Sequence, residues 1–177
     1  LSSESCGLDI IGAELIRDIE PGEIVIIKNN IVESIKPFKK TCLRPCLFEY
    51  IYFSRPDSVL EGKSVYQVRK HIGQELAKES VNDGLAVDTV VPIPDSGNAS
   101  ALGYSQIIGK PFEFGIIRNH YTGRTFIEPS SSIRHLGVKM KHNPNFAPLK
   151  GKKIALIDDS IVRGTTSVKI VEMLRNC

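Results

Sequence analysis

The chain has 177 residues, of which 41% are hydrophobic and 24% charged, enough apolar material to bury the core of an ordinary domain. Its net charge of +3 stands against 23 basic and 20 acidic residues, which leaves no excess for a nucleic-acid partner but is compatible with a small anionic ligand. No apolar run approaches the roughly 20 residues that cross a bilayer and no charged-then-apolar leader is present, so no membrane partner is expected and cytoplasm is the expected setting.

In chain order, residues 1–40 alternate apolar and polar positions around the turn signals Pro21-Gly22 and Asn29-Asn30, which predicts short antiparallel strands. Residues 39–62 carry Pro45, Pro56 and the aromatic run Phe48-Glu49-Tyr50-Ile51-Tyr52-Phe53, and are expected to be extended and partly buried. From Ser64 to Ser80, Val65, Val68, Ile72, Leu76 and Ala77 recur at spacings of three and four, the mark of one apolar helix face. Beyond it, a strand is predicted over Asp88–Pro94, a helix over Ser100–Ile108, a strand over Phe112–Ile117, a strand over Lys153–Asp158 and a helix over Thr166–Asn176. Strands alternating with helices imply a parallel sheet covered on both faces. Between Arg118 and Lys152 no period is sustained, and loops of that length in compact domains are functional or disordered. The chain opens on Leu1 and its last helical run stops at Cys177 without a cap, which reads as a piece of something longer. Its four cysteines are irregularly spaced, suiting free thiols rather than a disulfide framework.

The stretch Ile154-Ala155-Leu156-Ile157-Asp158-Asp159-Ser160-Ile161-Val162-Arg163-Gly164-Thr165-Thr166 carries the clearest chemistry. A buried strand delivers two carboxylates and then a turn at its carboxyl end, the edge where ligands bind in open α/β sheets. The turn opens a helix, so backbone N–H groups and the positive end of the helix dipole meet hydroxyl donors there, an arrangement suited to a phosphate monoester. Two carboxylates would repel that phosphate and must serve another part of the ligand, either vicinal hydroxyls or a divalent cation. A ribose 5-phosphate meets both demands; the bland alternative is a charged strand end facing water. The order of residues matches neither a Walker loop nor a dinucleotide fingerprint.

Ile157 to Thr166 resembles the phosphoribosylpyrophosphate (PRPP) signature of type I phosphoribosyltransferases, and its wording resembles the amidophosphoribosyltransferase family in particular. The resemblance extends to Pro92-Ile93-Pro94-Asp95-Ser96-Gly97, to Tyr121-Thr122-Gly123-Arg124-Thr125-Phe126-Ile127 and to Glu49-Tyr50-Ile51-Tyr52-Phe53-Ser54-Arg55-Pro56-Asp57-Ser58, in the family's order. It implies that Asp158 and Asp159 hold the ribose hydroxyls and contribute to a magnesium site with Ser96, and that Asp95, Ser96 and Gly97 cradle pyrophosphate. Ser160, Arg163, Gly164, Thr165 and Thr166 complete the implied PRPP set. The ordinary alternative for the Asp95 loop is a strand-to-helix turn in which Ser96 or Asn98 caps the helix.

The basic segment from Arg118 to Lys141 resembles the family's loop that closes over PRPP, with Arg118, Arg124 and Lys141 as the implied catalytic cations. Cations delivered on closure stabilise the charge that builds on departing pyrophosphate and exclude water; the alternative is a solvated loop. The family's commonest wording has Lys at the Arg118 position and Arg at His120, and a Lys point charge and an Arg fork are not interchangeable. Tyr52, Tyr121 and Phe126 suit either the wall of an ammonia route or a plain core. His71, His120, His135 and His142 lack metal-ligand spacing and are expected at the surface.

Ser3-Glu4-Ser5-Cys6-Gly7 and the strands to Ile35 resemble the closing part of the family's N-terminal-nucleophile glutaminase domain, whose catalytic cysteine lies far upstream, so Cys6 is expected to be a buried structural thiol. In one branch of the family a cysteine at the Cys46 position is one ligand of a 4Fe–4S cluster, the others lying beyond Cys177; the alternative is a free thiol. The resemblance therefore implies an α/β fold: residues 1–40 as the end of a glutaminase domain, 41–62 as a connecting segment, and 63–177 as a type I phosphoribosyltransferase domain truncated at its C-terminus. The implied reaction makes 5-phosphoribosylamine from PRPP and glutamine-derived ammonia, the first committed step of purine synthesis, with purine nucleotides as feedback ligands and a homo-oligomer as the working state. Two rivals share the fold. A nucleobase phosphoribosyltransferase would lack the glutaminase remnant, and a PRPP-sensing regulator would need neither Arg124 nor the aromatic run.

Overall fold

The structure, a computed structural model, describes residues 1–39, 42–81, 84, 86–121, 142–162 and 164–176. The chain divides into two compact units, Leu1–Val65 and Tyr66–Cys177.

In the first unit a single turn of helix, α1 (Cys6–Asp9), precedes a hairpin of β1 (Ile24–Lys28) and β2 (Ile31–Ile35). The antiparallel register runs from Ile24↔Ile35 to Lys28↔Ile31, so Asn29-Asn30 forms a two-residue turn with φ of 51° and 61°. Asparagine tolerates this left-handed backbone better than other residues with a Cβ, which is why the pair reads as a turn in the sequence. Where an extended segment was expected, Glu49–Phe53 instead forms a π-helix, with Tyr50 buried and Tyr52 and Phe53 exposed. Its ends are tied by side chains: Ser54 Oγ donates to Glu49 Oε2 at 2.8 Å and Tyr50 Oη to the Leu60 carbonyl at 2.8 Å. Short strands β3 (Val59–Leu60) and β4 (Lys63–Ser64) pair antiparallel just before the long helix α2 (Val65–Val81).

The second unit is built on β5 (Thr89–Pro92) and β8 (Ile154–Ile157), which pair in parallel from Thr89↔Ile154 to Pro92↔Ile157. Successive residues of these strands point to opposite faces, and both faces are covered. Val90 and Ile157 pack with Ala77, Ala101 and Tyr104, whereas Val91 and Ile93 pack with Ile116, Leu149 and Ile170. Each such side chain taken fully from water contributes roughly 1.5–3 kcal/mol, which explains the continuous apolar runs of these two strands. The first face is covered by α2 and α3 (Asn98–Ile108), and the second includes α5 (Thr165–Arg175), α4 (Phe146–Leu149) and β6 (Ile116–Arg118). β6 pairs antiparallel with β7 (His142–Pro144). Both β7 and α4 lie in the stretch where no period was visible.

Two expectations change. The strand predicted over Phe112–Ile117 is a single parallel bridge, Phe112 to Val90, followed by the short β6. Helix α2 forms over nearly the predicted span, but Ile72 and Leu76 are 39% and 42% exposed while Arg69, Gly73 and Ala77 are buried. The reason is backbone proximity. A Cβ at Gly73 would stand 1.9 Å from the Ser100 carbonyl oxygen, and one at Gly103 would stand 1.9 Å from that of Lys70. Helices α2 and α3 therefore cross on two glycines, and the small residues of α2, not its largest apolar ones, face the sheet.

Candidate functional site

The site grows from the carboxyl ends of β5 and β8. The strand pairing is prolonged by Ile93, whose N–H donates to the Ile157 carbonyl at 2.8 Å. The chain then leaves β5 through a cis Pro94–Asp95 peptide into Asp95-Ser96-Gly97, and leaves β8 directly into Asp158-Asp159-Ser160. These are the two acidic segments singled out in the sequence, separated by more than 60 positions, and the parallel register sets them side by side.

Gly97 locks them together. A Cβ there would lie 2.6 Å from the Ile157 oxygen and 2.8 Å from the Ile93 oxygen, both backbone atoms that cannot swing away. Its N–H donates to the Ile93 carbonyl at 3.0 Å, and its own carbonyl accepts from Ala101 at 2.9 Å, opening α3. No side chain caps this helix: Gly97 occupies the cap position, so the capping role weighed for Ser96 or Asn98 is not seen. The Asn98 side-chain oxygen is buried at the helix start without a hydrogen-bond partner among the described residues.

On the neighbouring strand end, the Asp159 N–H donates to Asp158 Oδ1 at 2.9 Å and Ser160 Oγ donates to Asp159 Oδ1 at 2.6 Å. Burial pushes the Asp158 carboxyl above its ordinary range, and the negative Asp159 adds to the shift while the Asp159 N–H opposes it. A half-buried carboxylate pair of this kind gains from anything that supplies positive charge or hydroxyl protons. The donor set is oxygen only, which suits a hard cation such as magnesium. Among the described residues no cluster of three or more His, Cys, Asp or Glu is gathered for a metal, so Asp158, Asp159 and the Ser96 hydroxyl would have to be completed by ligand oxygens or water.

Gly164, with φ of 69°, takes the left-handed conformation that admits glycine without strain and leads into α5. Thr165 and Thr166 are the first two residues of that helix, and Arg163 lies outside the described residues. So do the loop cations Arg124 and Lys141 and the aromatic Phe126. Arg118, grouped with them in the sequence, ends β6 and forms an ion pair with Asp95. Its Nε is buried without a hydrogen-bond partner among the described residues. The pairing spans 23 positions and depends on β6 lying near the β5 end; no local signal announced it. Tyr121 is fully exposed and Tyr52 mostly so. His142, expected at the surface, is buried on β7. Cys6 is buried, whereas Cys42 and Cys46 are exposed free thiols. No helix among the described residues is long and apolar enough to cross a membrane.

No protein-family model matches the chain. It is, however, 57% identical over 178 residues to the amidophosphoribosyltransferase of Rhizobium etli, covering 98% of this chain and 35% of that protein. The Synechococcus elongatus enzyme of the same name is 53% identical over 99% of the chain, and the Archaeoglobus fulgidus one 46% over 99%. In structure the chain is similar to the glutamine PRPP amidotransferase of B. subtilis complexed with ADP and GMP, with a TM-score of 0.87 at 45% identity over 98% of this chain and 38% of that one. The chain thus spans little more than a third of the length of the relatives it matches. With the paired strand ends, the shared fold and identities near one half over almost every residue, this chain belongs to the amidophosphoribosyltransferase family as a segment of it.

Proposed function

We propose that this segment forms the PRPP site of an amidophosphoribosyltransferase that makes 5-phosphoribosylamine from PRPP and glutamine-derived ammonia. The observation that carries the proposal is the junction at Gly97, where a close approach to Ile157 joins the pyrophosphate loop to the acidic strand end. PRPP is a ribose flanked by a 5-phosphate and a pyrophosphate, and the edge offers a separate place for each.

In this reading Asp158 and Asp159 accept from the ribose hydroxyls, and the start of α5, from Ser160 through Arg163 and Gly164 to Thr165 and Thr166, binds the 5-phosphate with backbone N–H and hydroxyl donors. Asp95, Ser96 and Gly97 shape the pyrophosphate pocket, with the Arg118 guanidinium offsetting the Asp95 charge so that a polyanion can approach. Magnesium, held by Asp158, Asp159 and Ser96 together with the ligand's own oxygens, would neutralise charge on the pyrophosphate. Ammonia attacks C1 as the C1–O bond to pyrophosphate breaks, and Arg124 and Lys141 meet the departing charge. The chain's residues bind and orient without a covalent intermediate.

Residues 1–40 are read as the end of the glutaminase domain, 41–62 as its connection, and 63–177 as the transferase domain. Purine nucleotides as feedback ligands are supported by the ADP and GMP in the B. subtilis relative. A homo-oligomer, a cytoplasmic setting and a role early in purine synthesis belong to the same reading. Cys46 is exposed and could serve as one ligand of a 4Fe–4S cluster only with cysteines from outside this segment, which iron analysis of the full-length protein would show.

The test is made in the full-length protein with ammonium as nitrogen source, which bypasses glutamine chemistry. Asp158→Asn and Asp159→Asn should each lower kcat/KM for PRPP by about 100-fold, the scale of losing a charged group from a preorganised site. Unchanged ammonium-dependent kinetics in both variants would remove the assignment.

A further inference from the structure

Beside the β5 end, one guanidinium is only partly used. The Arg118 contact to Asp95 runs from Nη1 to Asp95 Oδ2, whereas Arg118 Nε is buried without a hydrogen-bond partner among the described residues. Arginine binds a carboxylate or phosphate most firmly with two parallel N–H donors, so this one-point contact leaves its fork half filled. The two side chains are 36% and 49% exposed, and an ion pair so open to water is weakly held.

The partners are anchored differently. Arg118 ends β6, whose pairing with β7 sets it opposite His142, and Ile116 two residues earlier is fully buried. The Arg118 backbone is therefore fixed, leaving the side chain to turn. Asp95 stands in the loop with Ser96 and Gly97, and its carbonyl accepts from the Asn98 N–H at 3.3 Å where α3 begins. Its carboxylate thus stands in the loop proposed to take pyrophosphate. Covered as it is, Arg118 Nε gains a ligand partner only when the guanidinium turns, and that turn breaks the contact with Asp95. An unsatisfied buried donor favours such a turn wherever an acceptor is offered.

We propose that Asp95 is an internal competitor of pyrophosphate for Arg118: it occupies the guanidinium in the empty site, and the pyrophosphate group displaces it by accepting from Nε and a terminal N–H together. The inference rests on the proposed function and adds to it a residue that sets affinity. Two pyrophosphate oxygens match the guanidinium fork that one Asp95 oxygen leaves half filled, while the freed carboxylate, already half exposed, turns to water. After the reaction Asp95 retakes Arg118, which favours release of pyrophosphate.

The test uses the full-length protein, with inorganic pyrophosphate and magnesium as the probe in titration calorimetry and ammonium-dependent amine synthesis measured alongside. Asp95→Asn keeps the size of the side chain and removes its charge; it should tighten pyrophosphate binding about tenfold, the scale of one charge-assisted hydrogen bond. Pyrophosphate should become a correspondingly stronger inhibitor against PRPP. Arg118→Gln should weaken binding about tenfold on the same scale. Asp95→Asn added to Arg118→Gln should then change binding by less than about twofold, because nothing remains to compete for. Arg118→Lys retains the charge but not the fork and should lose about fivefold, which tests the two-point grip if Arg118→Gln fails to fold. Weaker binding in Asp95→Asn would make Asp95 a direct support of the ligand and overturn the competition. The same gain with and without Arg118 would leave only repulsion between Asp95 and the anion, and an unchanged affinity in Arg118→Lys would remove the two-point grip; either result also overturns it. A parent protein that forms no amine from PRPP and ammonium would overturn the proposed function itself, an outcome separate from the pyrophosphate titration.

Discussion

The β1–β2 hairpin and the β5–β8 pair are made from the same kinds of residue, Ile and Val in short runs, yet they are stabilised in different ways. Val90 and Val91 are fully buried on opposite faces of β5, so that pair is held by what packs against it. In the hairpin, Ile24, Ile26, Ile27, Ile31, Val32 and Ile35 are all exposed. What fixes it is local and polar: the Asn29-Asn30 turn, the ladder, and Glu23 at its base. Glu23 takes a bidentate grip from Arg17 at 2.9 and 2.6 Å, accepts from the Glu20 N–H at 2.7 Å and from Ser34 Oγ. A strand pair can therefore be specified by its turn and one carboxylate while its apolar faces remain available to other parts of a longer protein.

The sharpest way to break the contrast is truncation. Ile170→Ala, fully buried where α5 packs on the β5–β8 pair, should cost about 3 kcal/mol in the urea unfolding of this chain, whereas Ile31→Ala, 63% exposed on the hairpin, should change it by less than about 0.5 kcal/mol. If Ile31→Ala is costly only in the full-length protein, the hairpin is covered there.

Gly97→Ala comes next, at about 1–3 kcal/mol, because the new methyl meets backbone oxygens of both strand ends rather than a side chain that can turn aside. Loss of PRPP-dependent activity should accompany it. Calorimetry showing a stable, fully active variant would mean that the two loops are not locked as described.

Asp158 and Glu23 offer a comparison of sign. The Asp158 pKa is raised in the fold above the ordinary 3.8, so its protonated form favours folding; that contribution is present below about pH 4 and lost as pH rises through the folded value. Asp158→Asn should flatten this part of the stability profile and raise the midpoint of thermal unfolding by about 1–3 °C, while damaging the site. A steeper pH dependence in the variant would show that burial is not what disturbs this carboxyl.

Glu23 runs the other way and should give the smallest change. Arg17, then Ser34 and the Glu20 N–H, hold its carboxyl down to about 2, so its contribution is present above the usual value of 4.5 and lost only as pH falls through about 2. Glu23→Gln should abolish that acid transition in the amide shifts of Glu20 and Ser34 and leave the second unit unmoved. An identical transition in the variant would assign it to another group.

Much of this was legible because it is written in short-range terms. The Asn29-Asn30 turn, the 3.6 period of α2, the apolar run ending in Asp158-Asp159 and the glycine ahead of α5 each depend on residues within a few positions of one another. The π-helix at Glu49–Phe53 escaped because its defining ties, Tyr50 to Leu60 and Glu4 to Ser58, come from distant positions and compete with the extended habit of aromatic runs. The buried face of α2 escaped for a related reason: periodicity ranks residues by hydrophobicity, whereas the close approach of Ser100 and Lys70 selected the glycines.

By itself, then, the sequence determined the order of elements, the two acidic strand ends and their resemblance to the amidophosphoribosyltransferase family, because strand and helix periods, turn residues and contiguous motifs are properties of neighbouring positions. Only the tertiary structure decided that Asp95–Gly97 lies against Ile157, that Arg118 answers Asp95 and that Glu4 secures the turn before α2. Those contacts join residues 23 to 60 positions apart, and the backbone register and hydrogen bonds that create them exist only once the strands have paired and the polar groups have been brought together.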